Sequence, residues 1–186
     1  MATSLSALTS LEYLYLYFDY PRPRSALETR QLPPPLTRSI LPSLTKIRFK
    51  GASEYLEVIL ARIDTPRLDV LHIIFFNQII FDTQQLFHFI SRTPMLREPI
   101  KCFIEFNCRD VFVRFSSQIN GHGVHSLRIL CNTSEWQLSS LQQVCTSSLL
   151  PVSTLEDLYI AESSFSQVGP PLHWQDDVED TLWLEL

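Results

Sequence analysis

The chain has 186 residues, of which 45% are hydrophobic and 19% charged, so it carries enough apolar side chains for a packed domain and is not globally disordered. A formal net charge of −5 argues against general nucleic-acid binding, which needs a basic face to displace counterions. No apolar run approaches the ~20 residues that a bilayer-spanning helix requires. In chain order, the first predicted element is a strand at Leu11, Leu14, Leu16 and Phe18, whose intervening positions are Tyr13, Tyr15 and Tyr17. Such period-two alternation separates a core face from an outer face. Residues 20–40 follow as a Pro-rich loop insert, because Pro21, Pro23, Pro33, Pro34 and Pro35 suit neither a helix nor an inner strand.

Pro42-Ser43-Leu44 then opens a second run, continued by Ile47 and Phe49, with Lys46, Arg48 and Lys50 on the other parity. Ser53 is placed as the N-cap of a helix whose apolar stripe is Leu56, Ile59, Leu60 and Ile63. Pro66-Arg67-Leu68 opens the third run, with Leu71, Ile73 and Phe75 inward and Val70, His72 and Ile74 outward. A second helix is predicted from Leu86, Phe89 and Ile90, capped by Asp82 with Gln85 three residues on. Pro94-Met95-Leu96 repeats the opening phrase, but the apolar set then shifts to Ile100, Cys102, Ile104 and Phe106. The change of parity across Asn107-Cys108-Arg109-Asp110 to Val111, Val113 and Phe115 predicts a hairpin, and Leu127, Ile129 and Cys131 also depart from the repeat. A third helix is predicted from Leu138, Leu141, Cys145 and Leu149, capped by Ser134 with Gln137 three residues on; Leu155, Leu158 and Ile160 close the series as a strand. The helices are expected to end before Pro66, Pro94 and Pro151.

Leu44 and Leu68 are 24 residues apart, and Leu68 and Leu96 are 28 apart. A Leu-x-x-Leu-x-Leu phrase recurring every ~20–29 residues is the mark of a leucine-rich repeat. The predicted fold is therefore an α/β, leucine-rich-repeat-like solenoid with a parallel strand face and helices on the other side. Leu14, Leu16, Ile47, Phe49, Leu71, Ile73, Leu158 and Ile160 are expected to be buried together.

With the repeats placed, the chain resembles the C-terminal part of the fungal family of F-box-like leucine-rich-repeat proteins. The resemblance is carried by Leu-Thr-Ser-Leu-Glu-Tyr-Leu at 8–14, Pro-Pro-Pro-Leu-Thr-Arg at 33–38 and Ala61-Arg62-Ile63-Asp64-Thr65-Pro66. It continues in Phe75-Phe76-Asn77-Gln78, Phe89-Ile90-Ser91-Arg92-Thr93-Pro94 and Trp136-Gln137-Leu138-Ser139-Ser140-Leu141. It implies a substrate-receptor role in a cullin-type ubiquitin ligase, in which an N-terminal F-box docks the Skp adaptor and the repeats hold the substrate. No Leu-Pro-x-Glu-type F-box opening stands near Met1. The expectation is a single repeat domain over 1–186, truncated at both ends, that meets the Skp adaptor only if an F-box lies upstream.

Repeat stacks make binding surfaces more often than catalytic pockets. The predicted partner site is the outward strand face: Tyr13, Tyr15, Tyr17, Lys46, Arg48, Lys50 and His72. Tyrosines beside cations suit an acidic, aromatic-bearing protein or peptide. No catalytic, cofactor-binding or metal site is predicted. Cys102, Cys108, His122 and His125 form C-x5-C-x13-H-x2-H, which misses zinc-finger spacing at both pairs. Cys145 falls on an apolar helix face, which favours an inert thiol. The acidic cluster Asp176, Asp177, Glu179 and Asp180 suits a helix N-terminus. Arg30-Gln31-Leu32-Pro33-Pro34-Pro35-Leu36 reads as a stiff spacer, since Leu36 breaks the P-x-x-P phase.

The four cysteines, scattered at 102, 108, 131 and 145, do not form a disulfide framework, and the N-terminus lacks a basic n-region. A cytoplasmic or nuclear protein is expected, in which the Asn132-Thr133-Ser134 sequon goes unused. Two function classes stay open: a non-catalytic substrate-receptor module, and a non-catalytic scaffold or degenerate gene fragment with no ligase role.

Overall fold

A computed structural model describes residues 7–18, 38–76, 78, 80–81, 83–116, 124–131, 134–144 and 154–162. The Pro-rich insert up to residue 37, Asp82, His122, Cys145, Leu149, Pro151 and the acidic cluster lie outside the described residues. The elements are β1 (Tyr13–Tyr17), β2 (Ser39–Ile40), β3 (Lys46–Gly51), α1 (Ser53–Leu60), β4 (Ile63–Asp64) and β5 (Val70–Phe75). They continue with α2 (Gln84–Arg92), β6 (Lys101–Phe106), β7 (Asp110–Ser116), β8 (Val124–Leu130), α3 (Ser134–Val144) and β9 (Asp157–Glu162). The result is a mixed α/β arrangement built on a mostly parallel seven-stranded sheet in the order β1-β3-β5-β8-β7-β6-β9, with β2 and β4 as a separate parallel pair.

Each opening phrase folds as the same turn. The amide N–H of Leu44 donates to the carbonyl of Leu41, Leu68 to Thr65, and Leu96 to Thr93, at 3.0–3.3 Å. Proline stands second in each, where its fixed φ suits a β-turn, and the leucine that follows is fully buried. Leu11 closes on Leu8 in the same way without a proline. The repeat is thus a turn that delivers one leucine to the core and then starts a strand.

The expected register is observed in β1, β3 and β5. Leu14 pairs with Ile47 and Ile47 with Leu71; Leu16 pairs with Phe49 and Phe49 with Ile73. The predicted hairpin is also present, as antiparallel β6–β7, closed by Asn107 N–H to the Asp110 carbonyl at 2.9 Å. It interrupts the sequential order, because β8 and not β6 lies beside β5. Leu127 and Ile129, off pattern as a repeat, are core residues of β8.

Three expectations need correction. Leu158 and Ile160 continue the core rows beside Cys102 and Ile104, yet they are 57% and 64% exposed. Strand β9 is an edge strand of the sheet, and the main helix–strand packing among the described residues falls on β3, β4, β7 and β8. In α3 the buried face is Gln137, Ser140, Leu141 and Val144, while Leu138 is exposed. The helix is rotated by one position because Gln137 points inward and donates to the carbonyl of Asn107. Helix α1 ends at Leu60, so Ile63 is buried from the short strand β4 rather than from a helical stripe.

Caps also come from elsewhere than predicted. Ser53 is the first helical residue, not a cap; its N–H donates to Gln78 Oε1 at 3.1 Å and its hydroxyl accepts from Gln78 Nε2 at 2.6 Å. The start of α2 is held by Glu57 of α1, whose carboxylate accepts the N–H groups of Gln85 and Leu86 at 2.6 and 2.8 Å. Arg92, at the end of α2, donates to Asp64 at 2.6 Å and to the carbonyls of Leu60 and Ile63 at 2.6 and 2.9 Å. Neighbouring units therefore satisfy each other's helix ends.

Gly51 shows why one position must lack a side chain. A Cβ there would lie 3.0 Å from Phe18 Cδ2 and from Phe49 Cζ. Gly51 pairs with Phe75, and the rings of Phe18, Phe49 and Phe75 crowd this end of the sheet at 5.8 and 6.3 Å between successive centroids. Gly51→Ala should lower stability by about 1–3 kcal/mol through overpacking, read as a lower urea midpoint at unchanged slope.

Candidate functional site

The sheet has two faces. One is covered by the helices, and the other carries every predicted site residue. Tyr13, Lys46 and Val70 form one row across β1, β3 and β5; Tyr15, Arg48 and His72 form the next; Tyr17, Lys50 and Ile74 form the third. Adjacent strands sit ~4.8 Å apart, so each tyrosine has a cation as its lateral neighbour. The three tyrosines are 45–52% exposed, and Lys46, Arg48 and Lys50 are half-buried. Tyr15 and Tyr17 are nearly parallel, with centroids 6.5 Å apart. The Arg48 guanidinium carbon lies 5.8 Å from the Tyr15 ring centre, and Lys50 Nζ lies 5.9 Å from that of Phe76. Both distances fit cation–π attraction.

His72 differs from the others. Its Nδ1 lies 2.5 Å from the Ser126 hydroxyl, which ties β5 to β8. Ile74 shares the outward row but is buried, because it stands mid-sheet between the long side chains of Lys50 and Arg128.

The outward face continues beyond the predicted set. Ser126 and Arg128 of β8 follow in register, then Phe112 and Arg114 of β7, Phe103 and Glu105 of β6, and Tyr159 of β9. Arg128 is bound to buried Asp110 at 2.9 Å, and Lys101 to Asp157 at 3.2 Å. Alternation within β7 and β8 puts Arg114 and Arg128 outward. Their place on the same face as Arg48 depends on the strand order, which periodicity does not encode.

The cysteine–histidine set is not brought together. Cys102 and His125 are both buried, but Phe115 of β7 separates them in the same row, and Cys108 is exposed at the hairpin. Two strand spacings amount to ~10 Å, too far for shared coordination. Among the described residues no group of three or more His, Cys, Asp or Glu could hold a metal ion.

His125 is distinctive in another way. Its ring stacks on Phe115 at 4.6 Å and borders a cavity of about 20 Å³ under α2 and α3, lined by Leu71, Leu86, Ile90 and Leu141 among others. Neither ring nitrogen has a hydrogen-bond partner among the described residues. Burial alone pushes the imidazole down to about 3 from its ordinary 6.5, so the folded protein holds it neutral. The unfolded chain binds a proton on His125 below pH 6.5 that the folded chain refuses until about 3. Stability is therefore intact at neutral pH and falls as pH drops through that window, by up to ~1.4 kcal/mol per pH unit. In His125→Phe this contribution should vanish. Urea midpoints of the two proteins, measured at neutral pH and at successive steps into the acid range, should diverge; parallel curves would refute the assignment.

No family model, curated protein or solved structure matches the chain. Among the described residues no helix is long and apolar enough to cross a membrane.

Proposed function

We propose that the chain is a non-catalytic protein-interaction module whose outward strand face binds an acidic, aromatic-bearing segment of a protein partner. The observation that carries this reading is the register that sets Tyr13, Tyr15 and Tyr17 beside Lys46, Arg48 and Lys50 on one open face. Aromatic and arginine side chains on a rigid sheet are the residue types that dominate protein interfaces. The repeated Pro-x-Leu turn and the parallel register of β1, β3 and β5 support a leucine-rich-repeat-like solenoid. The resemblance to F-box-like repeat proteins makes this the substrate-holding region of a ubiquitin-ligase receptor in the cytoplasm or nucleus. The Skp adaptor would be met by an F-box and not by these repeats.

The test is capture from a library of acidic peptides that contain Tyr or Phe. Affinity should fall as salt rises, since the cations lie at a solvent-exposed face. Arg48→Glu should weaken binding at least tenfold while stability stays within about 0.5 kcal/mol. Peptides that bind independently of salt and of Arg48→Glu would move the site off this face.

A further inference from the structure

The two outer strands of the sheet, β1 and β9, run in the same direction at opposite ends of it. Among the described residues no strand pairs with the outer edge of either. We propose that these edges are complementary and that β9 of one copy of the chain pairs in parallel with β1 of a second copy, head to tail.

The hydrogen-bond phase of the two edges matches. Lys46 N–H donates to the Glu12 carbonyl, Val70 to Thr45, Val124 to Asp69, and Asp157 to Ile100, at 3.0–3.2 Å. In register, Lys46, Val70, Val124 and Asp157 occupy one position of their strands, and each donates to the residue just before that position on the preceding strand. Tyr13 holds that position on β1. Its N–H therefore points out of the sheet as the donor, and the Glu156 carbonyl beside β9 points out as the matching acceptor. Joining them repeats the β1–β3 and β3–β5 joints without a change of phase.

Side chains follow the same register. Leu158 and Ile160, exposed at β9, would fall beside Leu14 and Leu16, which are only partly buried at β1. Tyr159 would fall beside Tyr15. Charge is complementary overall: β9 carries Asp157 and Glu162, and the first strand behind β1 carries Lys46, Arg48 and Lys50. Glu156 beside Glu12 is the one like-charge contact. An exposed, apolar edge that pairs with no strand among the described residues is a template for another strand. Because the two surfaces differ, the contact is heterologous and does not close on itself at two copies.

Sedimentation velocity of the full chain should give a mass that rises with concentration beyond the dimer. Ile160→Lys charges the β9 edge at a side chain that is 64% exposed. Tyr15→Pro removes an outward N–H from β1, which an edge strand tolerates; Tyr13→Pro replaces it if circular dichroism reports loss of fold. Each variant alone should be monomeric, since every copy has lost the same edge and no β9–β1 joint can form; a variant that still dimerises through the intact edge overturns the proposal. A double variant with both edges blocked should be monomeric. Mixing Ile160→Lys with Tyr15→Pro should give a heterodimer joined through the one β1 and the one β9 edge left intact. A wild-type chain that stays monomeric at all concentrations overturns the proposal, as does association abolished by Ile160→Lys yet untouched by either proline, which would mean β9 pairs with itself.

Discussion

Glu57→Ala should lower stability by about 2–4 kcal/mol. Glu57 sits on α1 with its carboxylate buried and spends both oxygens on the first turn of α2. The N–H groups it accepts have no intrahelical partner, and the helix dipole adds attraction for a negative charge. Charge-assisted hydrogen bonds of this kind contribute ~1.5–3 kcal/mol each, and a buried donor left without an acceptor costs ~1–3 kcal/mol. The two terms overlap, so the total stays below their sum. Glu57→Gln keeps the shape and one acceptor but loses the charge, and should cost about half as much. Urea denaturation gives the difference in midpoint. Amide exchange of Gln85 and Leu86 gives the location: both should exchange faster in Glu57→Ala, ahead of the rest of α2. Loss of stability with unchanged exchange at these two amides would mean that the carboxylate acts elsewhere.

This contact also marks how far the fold was legible in the sequence. Strand faces were legible because alternation is a local property: Tyr13 to Tyr17 and Lys46 to Lys50 each declare an inner and an outer row without reference to anything else. The repeat spacing then aligned those rows, and the observed pairing of Tyr15 with Arg48 and of Arg48 with His72 follows it. Caps were not legible, because the groups that satisfy α1 and α2 are supplied from 25 to 32 residues away by Gln78, Glu57 and Arg92. A local motif search looks a few residues along and finds Ser53 or Asp82. The position of β8 was equally hidden. Once a hairpin breaks the sequence of parallel crossovers, the neighbour of β5 is chosen by packing, and nothing in Leu127 or Ile129 says which strand they join. The outer face was thus readable as far as His72. Arg114 and Arg128 became part of it only through tertiary order.

Phe49→Ala should be the most damaging single truncation of the core, at about 3–5 kcal/mol. Phe49 is fully buried in the middle parallel strand of the first three. Its ring lies 5.8 Å from Phe18 and 6.3 Å from Phe75, the latter edge-on, so it links the cores of three successive strands. Phe18 in turn stacks on Tyr55 of α1 at 4.8 Å. Truncation therefore removes both transfer energy and aromatic pairing, and it opens a void that Gly51, lacking a side chain, does nothing to fill. Partial relaxation of Phe18 into that void sets the lower end of the range. Phe49→Leu should recover a large part of the loss by keeping the void small, whereas Tyr15→Ala, on the outer row one strand away, should stay within about 1 kcal/mol. Equilibrium denaturation of the three variants decides it. If Phe49→Ala and Tyr15→Ala cost the same, the inner and outer rows of the sheet are not distinguished by burial, and the assignment of the open face to binding would fall with the register that supports it.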